Sequence, residues 1–157
     1  MSNIAVQNPS MRFLCRITAR VDPVVSLGDT ACGERRYVPI IGGTVSGEEF
    51  SGKVVAGGVD WQLQRSDGTL EIAAHYVIED AEGARVEVSS DGFRHGPPEV
   101  MRRLAAGEPV APEEYYFRTA IRFRTGAARW RHLNSVIAVG MGARTTGAAI
   151  IDVHVVL

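Results

Sequence analysis

Residues 50–80 read FSGKVVAGGVDWQLQRSDGTLEIAAHYVIED and contain two runs of alternating side chains, separated by the turn formers SDGT at 66–69. In the first run Asp60 and Gln62 share one face and Trp61 lies on the other, which is the period of two expected of a β-strand. An Asp-Gly connection between two such runs is typical of a tight hairpin turn. The stretch therefore predicts two neighbouring antiparallel strands.

Doubled glycines interrupt two of the predicted strands, at Gly42-Gly43 and at Gly57-Gly58. Paired glycines inside a strand are typical of bulges and sharp bends, and closing a sheet into a barrel requires such bends. They therefore favour a closed barrel over the alternative, a β-sandwich.

The rest of the chain continues this pattern. In residues 11–21 one face carries Met11, Phe13, Cys15, Ile17 and Ala19. Further strands are predicted over residues 36–47, 85–96, 114–126, 128–144 and 146–157, and residues 23–36 are interpreted as a loop. Apolar residues at helical spacing between Pro98 and Gly107 predict one short helix, around residues 98–106. The fold class is thus all-β: a single closed antiparallel barrel of about eight to ten strands.

Size and charge narrow the functional classes. The chain has 157 residues, which fits a single domain over residues 1–157, with residues 1–10 as a flexible or extended N-terminal arm. Its net charge is −1, without the basic excess that nucleic-acid binding usually needs. An apolar run of about 18 residues, as in a membrane helix, is absent. The first residues do not resemble a secretory signal, so Cys15 and Cys32 are expected to be free thiols in the cytoplasm.

In the stretch GFRHGPPEV at 92–100, Arg94 and His95 lie between two glycines at a predicted strand end. Loops at strand ends often carry function, and glycine allows a ligand to approach the backbone. We expect both side chains to lie where the barrel opens to a small molecule.

Three residues are candidates for proton transfer. His95 is the expected general base, because the pKa of histidine lies near neutrality. Asp60 would orient it or share its proton, and Tyr116 could donate a proton. The residues predicted to bind substrate are Trp61, Gln62, Arg94, Arg118 and His75. Of these, Arg94 or Arg118 would hold an anionic oxygen, and Trp61 would stack on a ring.

The sequence predicts no cofactor and no metal. Its histidines are not at metal-ligand spacing, and neither a GxGxxG strand-to-helix motif, a phosphate-binding lysine loop nor a GxSxG elbow occurs. For His75, His132 and His154, surface or structural roles are favoured over a role in the site, and only His75 is kept among the candidate binding residues.

Two functions fit this pattern. The first is a cofactor-independent acid/base enzyme (an isomerase, lyase, cyclase or lactone hydrolase) acting on a small, partly apolar or aromatic metabolite. The alternative is a non-catalytic small-molecule binding or carrier barrel, which would need the pocket but not His95. A partner-binding scaffold is less well supported, since no long apolar surface stripe is evident.

Several motifs resemble the family known as domain of unknown function 3237. They are GGVDWQ at 57–62, RHGP at 94–97, YYFRT at 115–119 and WRHLNS at 130–135, and the likeness extends from about residue 11 to residue 157. The resemblance implies a cytoplasmic β-barrel that self-associates. It adds Asn134 to the candidate substrate-binding residues and assigns no catalytic residue.

A homodimer is also expected from the sequence itself. The last predicted strand, AAIIDVHVVL at 148–157, has β-branched residues on both faces, as is typical of a strand that is covered on both sides. A second copy would supply the outer cover.

Overall fold

The computed structural model describes residues 4–157, and within them the protein has nine β-strands and one α-helix. The strands are β1 (Met11–Val21), β2 (Val25–Thr30), β3 (Gly33–Ser46), β4 (Gly52–Gln64), β5 (Leu70–Asp80), β6 (Arg85–His95), β7 (Tyr116–Arg124), β8 (Ala138–Thr145) and β9 (Ala148–Val156). The helix, α1, spans Pro98–Ala105, and two 3-10 helices span Pro112–Glu114 and Ala128–Ser135. None of the helices in this part of the chain has the length and apolar character needed to cross a membrane.

Neighbouring strands are antiparallel, and the sheet closes on itself. The order is β1-β9-β8-β7-β6-β5-β4-β3, and β1 also pairs with β3. This second pairing closes an eight-stranded barrel, and β2 remains as an extra strand beside the first half of β3. The prediction of an all-β closed barrel with a short helix is confirmed.

The doubled glycines occupy the bends that allow closure. The pairing of β3 with β4 shifts register between Ile40 and Gly43, and that of β4 with β5 shifts between Val55 and Val59. A side chain at Gly43 would place its Cβ 2.0 Å from the carbonyl oxygen of Thr18 in β1. Glycine is therefore required where β1 and β3 approach each other.

Alternation along the strands separates a packed interior from the outer wall. In β5, for example, Ile72, Tyr76 and Ile78 point inward and are buried. One end of the barrel is closed by apolar side chains, among which the rings of Phe50 and Trp130 lie 4.5 Å apart. The opposite end, where β6 ends and β7 begins, carries polar inward residues.

Two of the predicted element assignments are wrong. Residues 23–36 are not a loop, because β2 and the start of β3 form a hairpin there; all six residues of β2 are exposed, so no burial pattern marks the strand. The predicted strand 128–144 begins with a 3-10 helix, and only Ala138–Thr145 is extended.

The assignment of faces in the first strand is wrong before Cys15. The register of β1 against β9 shifts between Phe13 and Cys15, and the extra residue Leu14 is buried. Met11 and Phe13 are therefore exposed instead of sharing the inner face with Cys15.

The remaining expectations concern the helix, the N-terminus and the cysteines. Helix α1 begins at Pro98 as predicted, and Gly107 follows its end with a positive φ of 76°. Residues 4–10 of the predicted arm are exposed and lie outside any helix or strand, while residues 1–3 lie outside the described residues. Cys15 and Cys32 are both free thiols, the first buried and the second exposed.

Candidate active site

A cavity of about 170 Å³ occupies the polar end of the barrel. Its polar lining consists of Arg36, Asp60, Gln62, Arg94 and Arg144, and Leu104 and Ala105 at the end of α1 complete its wall. A second, inner chamber of about 50 Å³ shares Val21, Asp60, Phe117 and Ala149 with the first. Asp60 therefore lies at the junction of a polar mouth and a mostly apolar inner chamber.

Strand periodicity brings these polar groups together. Arg36 in β3 pairs in register with Gln62 in β4, and Asp60 lies two residues earlier on the same face of β4. Arg94 is inward-facing at the end of β6, two residues beyond the inward Gly92. Small inward residues leave the space beside them: Ala74, Ser90 and Ala149.

A chain of hydrogen bonds orients the Asp60 carboxylate. Arg36 Nε donates to Gln62 Oε1 at 3.0 Å, and Gln62 Nε2 donates to Asp60 Oδ2 at 2.7 Å. The second carboxylate oxygen, Oδ1, is buried and has no hydrogen-bond partner among the described residues. One oxygen of Asp60 is thus held by Gln62, and the other is buried without a partner in residues 4–157.

The Asp60 carboxyl titrates near neutrality. Burial raises its pKa to about 6, and the hydrogen bond from Gln62 and the charge of Arg94 oppose this rise only partly. A carboxyl group with such a pKa is present in both protonation states near pH 6 and can either donate or accept a proton.

Arg94 is held beside Asp60 without a counter-charge in contact. Its guanidinium lies over the ring of Phe117, with 5.7 Å between Cζ and the ring centroid, and its Nε is buried without a hydrogen-bond partner in residues 4–157. Burial and the charges of Arg144 and Arg36 lower its pKa to about 10, so it remains a cation at neutral pH.

Arg144 enters the cavity from β8. Its Nη1 donates to the carbonyl oxygens of Thr145 and Ala148 at 3.1 and 2.7 Å, and its backbone N–H donates to the Tyr115 hydroxyl at 2.8 Å. Neither Arg36 nor Arg144 was among the residues predicted from the sequence. Arg36 lies two residues before the inward Val38, and Arg144 lies two residues after the inward Gly142. This alternation is the signal that could have identified both arginines.

Three predicted site residues converge in this cavity: Asp60, Gln62 and Arg94. His95 and Tyr116, both predicted to be catalytic, lie on the outer wall instead, where their rings stack 4.8 Å apart. Consecutive residues of a strand point to opposite faces, so Arg94 and His95 cannot both face the cavity. The predicted meeting of His95 with Asp60 is therefore corrected.

The other predicted binding residues also lie outside the cavity. On the outer wall, Arg118 lies over the Tyr116 ring, Trp61 is 38% exposed, and His75 is paired with Glu87. Asn134 bonds the backbone of Thr125, accepting from its N–H at 2.8 Å and donating to its carbonyl oxygen at 2.9 Å, which stabilises a loop. Strand alternation places Arg118, Trp61 and His75 on the outer wall. Asn134 lies in the second 3-10 helix, Ala128–Ser135.

Residues 4–157 contain no group of three or more histidine, cysteine, aspartate or glutamate side chains that could hold a metal ion. The cavity instead offers one carboxyl group, one amide and three guanidinium groups. This set can transfer a proton and can bind or stabilise an anionic oxygen.

A distant curated relative is named for an enzyme activity. The "Hydroalkoxylation enzyme phnH" of Penicillium herquei is 24% identical over 132 residues, covering 84% of this chain and 73% of that protein. The crystal structure of an enzyme from Penicillium herquei has the same fold, with a TM-score of 0.76 at 20% identity, covering 99% and 100% of the two chains. The barrel is thus shared with an enzyme.

Nearer relatives establish the family. A UPF0311 protein of Rhodopseudomonas palustris is 43% identical over 146 residues, covering 93% of this chain and 95% of that protein. The crystal structure of a conserved protein of unknown function from Rhodopseudomonas palustris superimposes with a TM-score of 0.91 at 41% identity, covering 98% and 100% of the chains. Residues 9–156 match the family described as "Protein of unknown function (DUF3237)", and the chain belongs to this family.

Proposed function

We propose that the protein is an acid/base enzyme that acts on a small, partly apolar or aromatic metabolite bound in the barrel, with Asp60 as the proton-transferring group. The observation that carries the proposal is the Asp60 carboxyl. It is half-buried at the junction of the two chambers, its pKa is raised to about 6, and its Oδ1 is without a hydrogen-bond partner in residues 4–157. Such perturbation in a cavity is typical of catalytic carboxyl groups.

Each neighbour of Asp60 has a role in this proposal. Gln62, itself held by Arg36, fixes Oδ2 and so orients the carboxyl group. The guanidinium groups of Arg94 and Arg144 stabilise negative charge that develops on a substrate oxygen when Asp60 removes a proton. Preorganised charges of this kind act strongly because little water separates them from the reacting atoms.

The reaction classes that fit need only proton transfer and stabilisation of an anionic oxygen. They are isomerisation, elimination or addition, cyclisation and lactone hydrolysis. The named activity of the distant Penicillium relative supports the addition class. Adding a hydroxyl group across a carbon–carbon double bond moves one proton from oxygen to carbon and forms one carbon–oxygen bond, and no electrons leave the substrate. A single carboxyl can accept the first proton and deliver one to the carbon.

A metabolite assay separates enzyme from carrier. The protein is incubated with a small-molecule extract of bacterial cells, beside Asp60→Asn and the control Asp91→Asn, which alters an exposed aspartate on the outer wall. We expect the wild type and the control to consume a metabolite that Asp60→Asn leaves intact. Recovery of every bound metabolite unchanged from the wild type would identify a carrier and contradict the proposal.

The cytoplasmic location and the homodimer remain proposals for this chain. The homodimer rests on the apolar character of β9. Neither is needed for the proton transfer assigned to Asp60, since the cavity is lined within one chain.

A further inference from the structure

The mouth of the cavity has more positive than negative charge. Arg36, Arg94 and Arg144 contribute three guanidinium groups, and Asp60 is the one carboxylate in the described lining. Within residues 4–157 none of the three arginines forms an ion pair. Desolvating cations without counter-charges is unfavourable, so this arrangement is suited to an anion supplied from outside.

Arg94 is positioned by packing and not by a polar partner. Its guanidinium lies over the Phe117 ring, and that ring lies against Gly142, where an added Cβ would approach Phe117 Cγ to 2.4 Å. The packing holds Arg94 in place, and its buried Nε stays without a partner in the described chain. A bound acceptor would complete its hydrogen bonding.

Arg144 is anchored in a different way. Nη1 is bonded to two carbonyl oxygens of the turn between β8 and β9. A guanidinium has five N–H donors, so this anchoring leaves donors for a ligand. Two fixed guanidinium groups in one wall are suited to the two oxygens of a planar carboxylate.

The lining of the inner chamber indicates the polarity of the rest of the ligand. Its wall includes Ala19, Ile40, Ile72, Ala74 and Ile151, and the hydroxyl groups of Ser90 and Thr119 are bonded to each other at 2.8 Å. The chamber therefore suits a small apolar group. Asp60 lies between this chamber and the arginines.

From this geometry we infer that the substrate is a small carboxylic acid with an apolar body. Arg94 and Arg144 bind the carboxylate at the mouth, the apolar body extends through the outer cavity towards the inner chamber, and Asp60 lies beside the atoms between them. The inference rests on the proposed function for the role of Asp60, and it adds the chemical class of the substrate.

A carboxylate fits the mouth better than a phosphate group. Phosphate sites commonly use backbone N–H groups at a helix N-terminus. Here the cavity wall includes Leu104 and Ala105, the last residues of α1. The C-terminal end of a helix carries partial negative charge. This charge disfavours a dianion more than a monoanion.

Calorimetric titration of the purified full-length protein at neutral pH tests the inference without requiring turnover. The probes are benzoate with benzamide, hexanoate with hexanamide, and phenyl phosphate. We expect at least one carboxylate to bind about ten-fold or more tightly than its amide, because a charged hydrogen-bonded group contributes that much affinity. Arg94→Met should remove this preference, and Arg122→Met, which alters an exposed arginine on the outer wall of β7, should retain it.

Further variants separate the inference from the proposed function. Asp60→Asn should bind the carboxylate at least as tightly as the wild type, because it removes a competing negative charge, although turnover is lost. If Arg94→Met does not fold, as judged by circular dichroism, Arg144→Gln provides the same comparison. The inference is overturned if no carboxylate binds better than its amide, if the folded arginine variant keeps the preference, or if phenyl phosphate binds more tightly than benzoate.

Discussion

At the scale of single residues, the proposed proton transfer depends on how burial changes the pKa of Asp60. Removing a carboxylate from water disfavours its charged form, and the neighbours that would favour that form, Gln62 and Arg94, compensate only in part. The resulting pKa of about 6 gives the protein a proton donor and acceptor that histidine would otherwise have to supply.

Replacing Asp60 and His95 separately tests which residue transfers the proton. We expect Asp60→Asn to lower turnover of the metabolite by about 10²–10⁴-fold, the usual contribution of a positioned acid or base. His95→Ala should leave the rate largely unchanged, because the His95 ring lies on the outer wall against Tyr116. Initial rates on the metabolite identified from the extract decide between them, and the opposite ranking would contradict the assignment.

The raised pKa of Asp60 also predicts how stability depends on pH. An unfolded aspartate ionises at a pH of about 4, whereas Asp60 in the folded protein ionises at a pH of about 6. Between these two values the folded protein binds more protons through Asp60 than the unfolded chain does. The free energy of unfolding of the wild type should therefore fall with rising pH in this window, relative to Asp60→Asn, by up to about 3 kcal/mol. Above the window the difference should be constant.

Urea unfolding of both proteins at several pH values measures this difference. Other titrating groups, such as Asp80, are common to both proteins and largely cancel. A difference that does not vary between pH of about 4 and 6 would contradict the raised pKa.

At the scale of elements, strand alternation explains both what the sequence predicts and what it misses. The runs that became β4, β5, β6 and β7 alternate as predicted, because each has one buried and one outer face. The pattern does not reveal which face is inward when both carry polar groups. For this reason Asp60, Gln62 and Arg94 were identified, whereas His95 and Tyr116 were predicted on the wrong side.

Local sequence does not determine how distant strands pair. Strand β2 is exposed on both faces, so its sequence has no burial period, and only its pairing with β3 makes it extended. Alternation with Val38 and Gly142 indicates the inward faces of Arg36 and Arg144. Their meeting in one cavity depends on how β3 pairs with β4 and β8 pairs with β9. Register depends on closure of the barrel, a long-range property.

The inward glycines of β8 yield a prediction at this scale. Gly142→Ala would push Cβ against the Phe117 ring, so the ring must move and take Arg94 with it. We expect a loss of about 1–3 kcal/mol in the free energy of unfolding, together with weaker carboxylate binding. Gly126→Ala is the matched control, because nothing lies within 4 Å of its added Cβ. Equal stability of the two variants in urea would contradict this packing.

At the scale of the whole molecule, the two ends of the barrel differ in chemistry. One end is closed by Phe50, Trp130 and Leu133, and the other opens to the cavity with its arginines. A barrel of eight strands is just wide enough to be filled by side chains or to hold one small ligand. In this chain side chains fill one end of the barrel, and the other end contains the cavity.

The oligomeric state is a separate prediction for the whole molecule. We expect a homodimer in solution, in which a second copy covers the outer face of β9. Light scattering coupled to size exclusion at micromolar concentration measures this directly. A mass of 17.0 kDa, that of one chain, would show that the dimer is absent.

The ionisation of Asp60 is the most direct test, because it needs neither substrate nor turnover. Nuclear magnetic resonance of protein labelled with ¹³C at aspartate carboxyl carbons follows each group through a pH titration, and Asp60→Asn identifies the signal. We expect a midpoint of about 6 for Asp60. A midpoint near the ordinary aspartate value of about 3.9 would mean that Asp60 is a simple solvated carboxylate, and the proposed proton transfer would be contradicted.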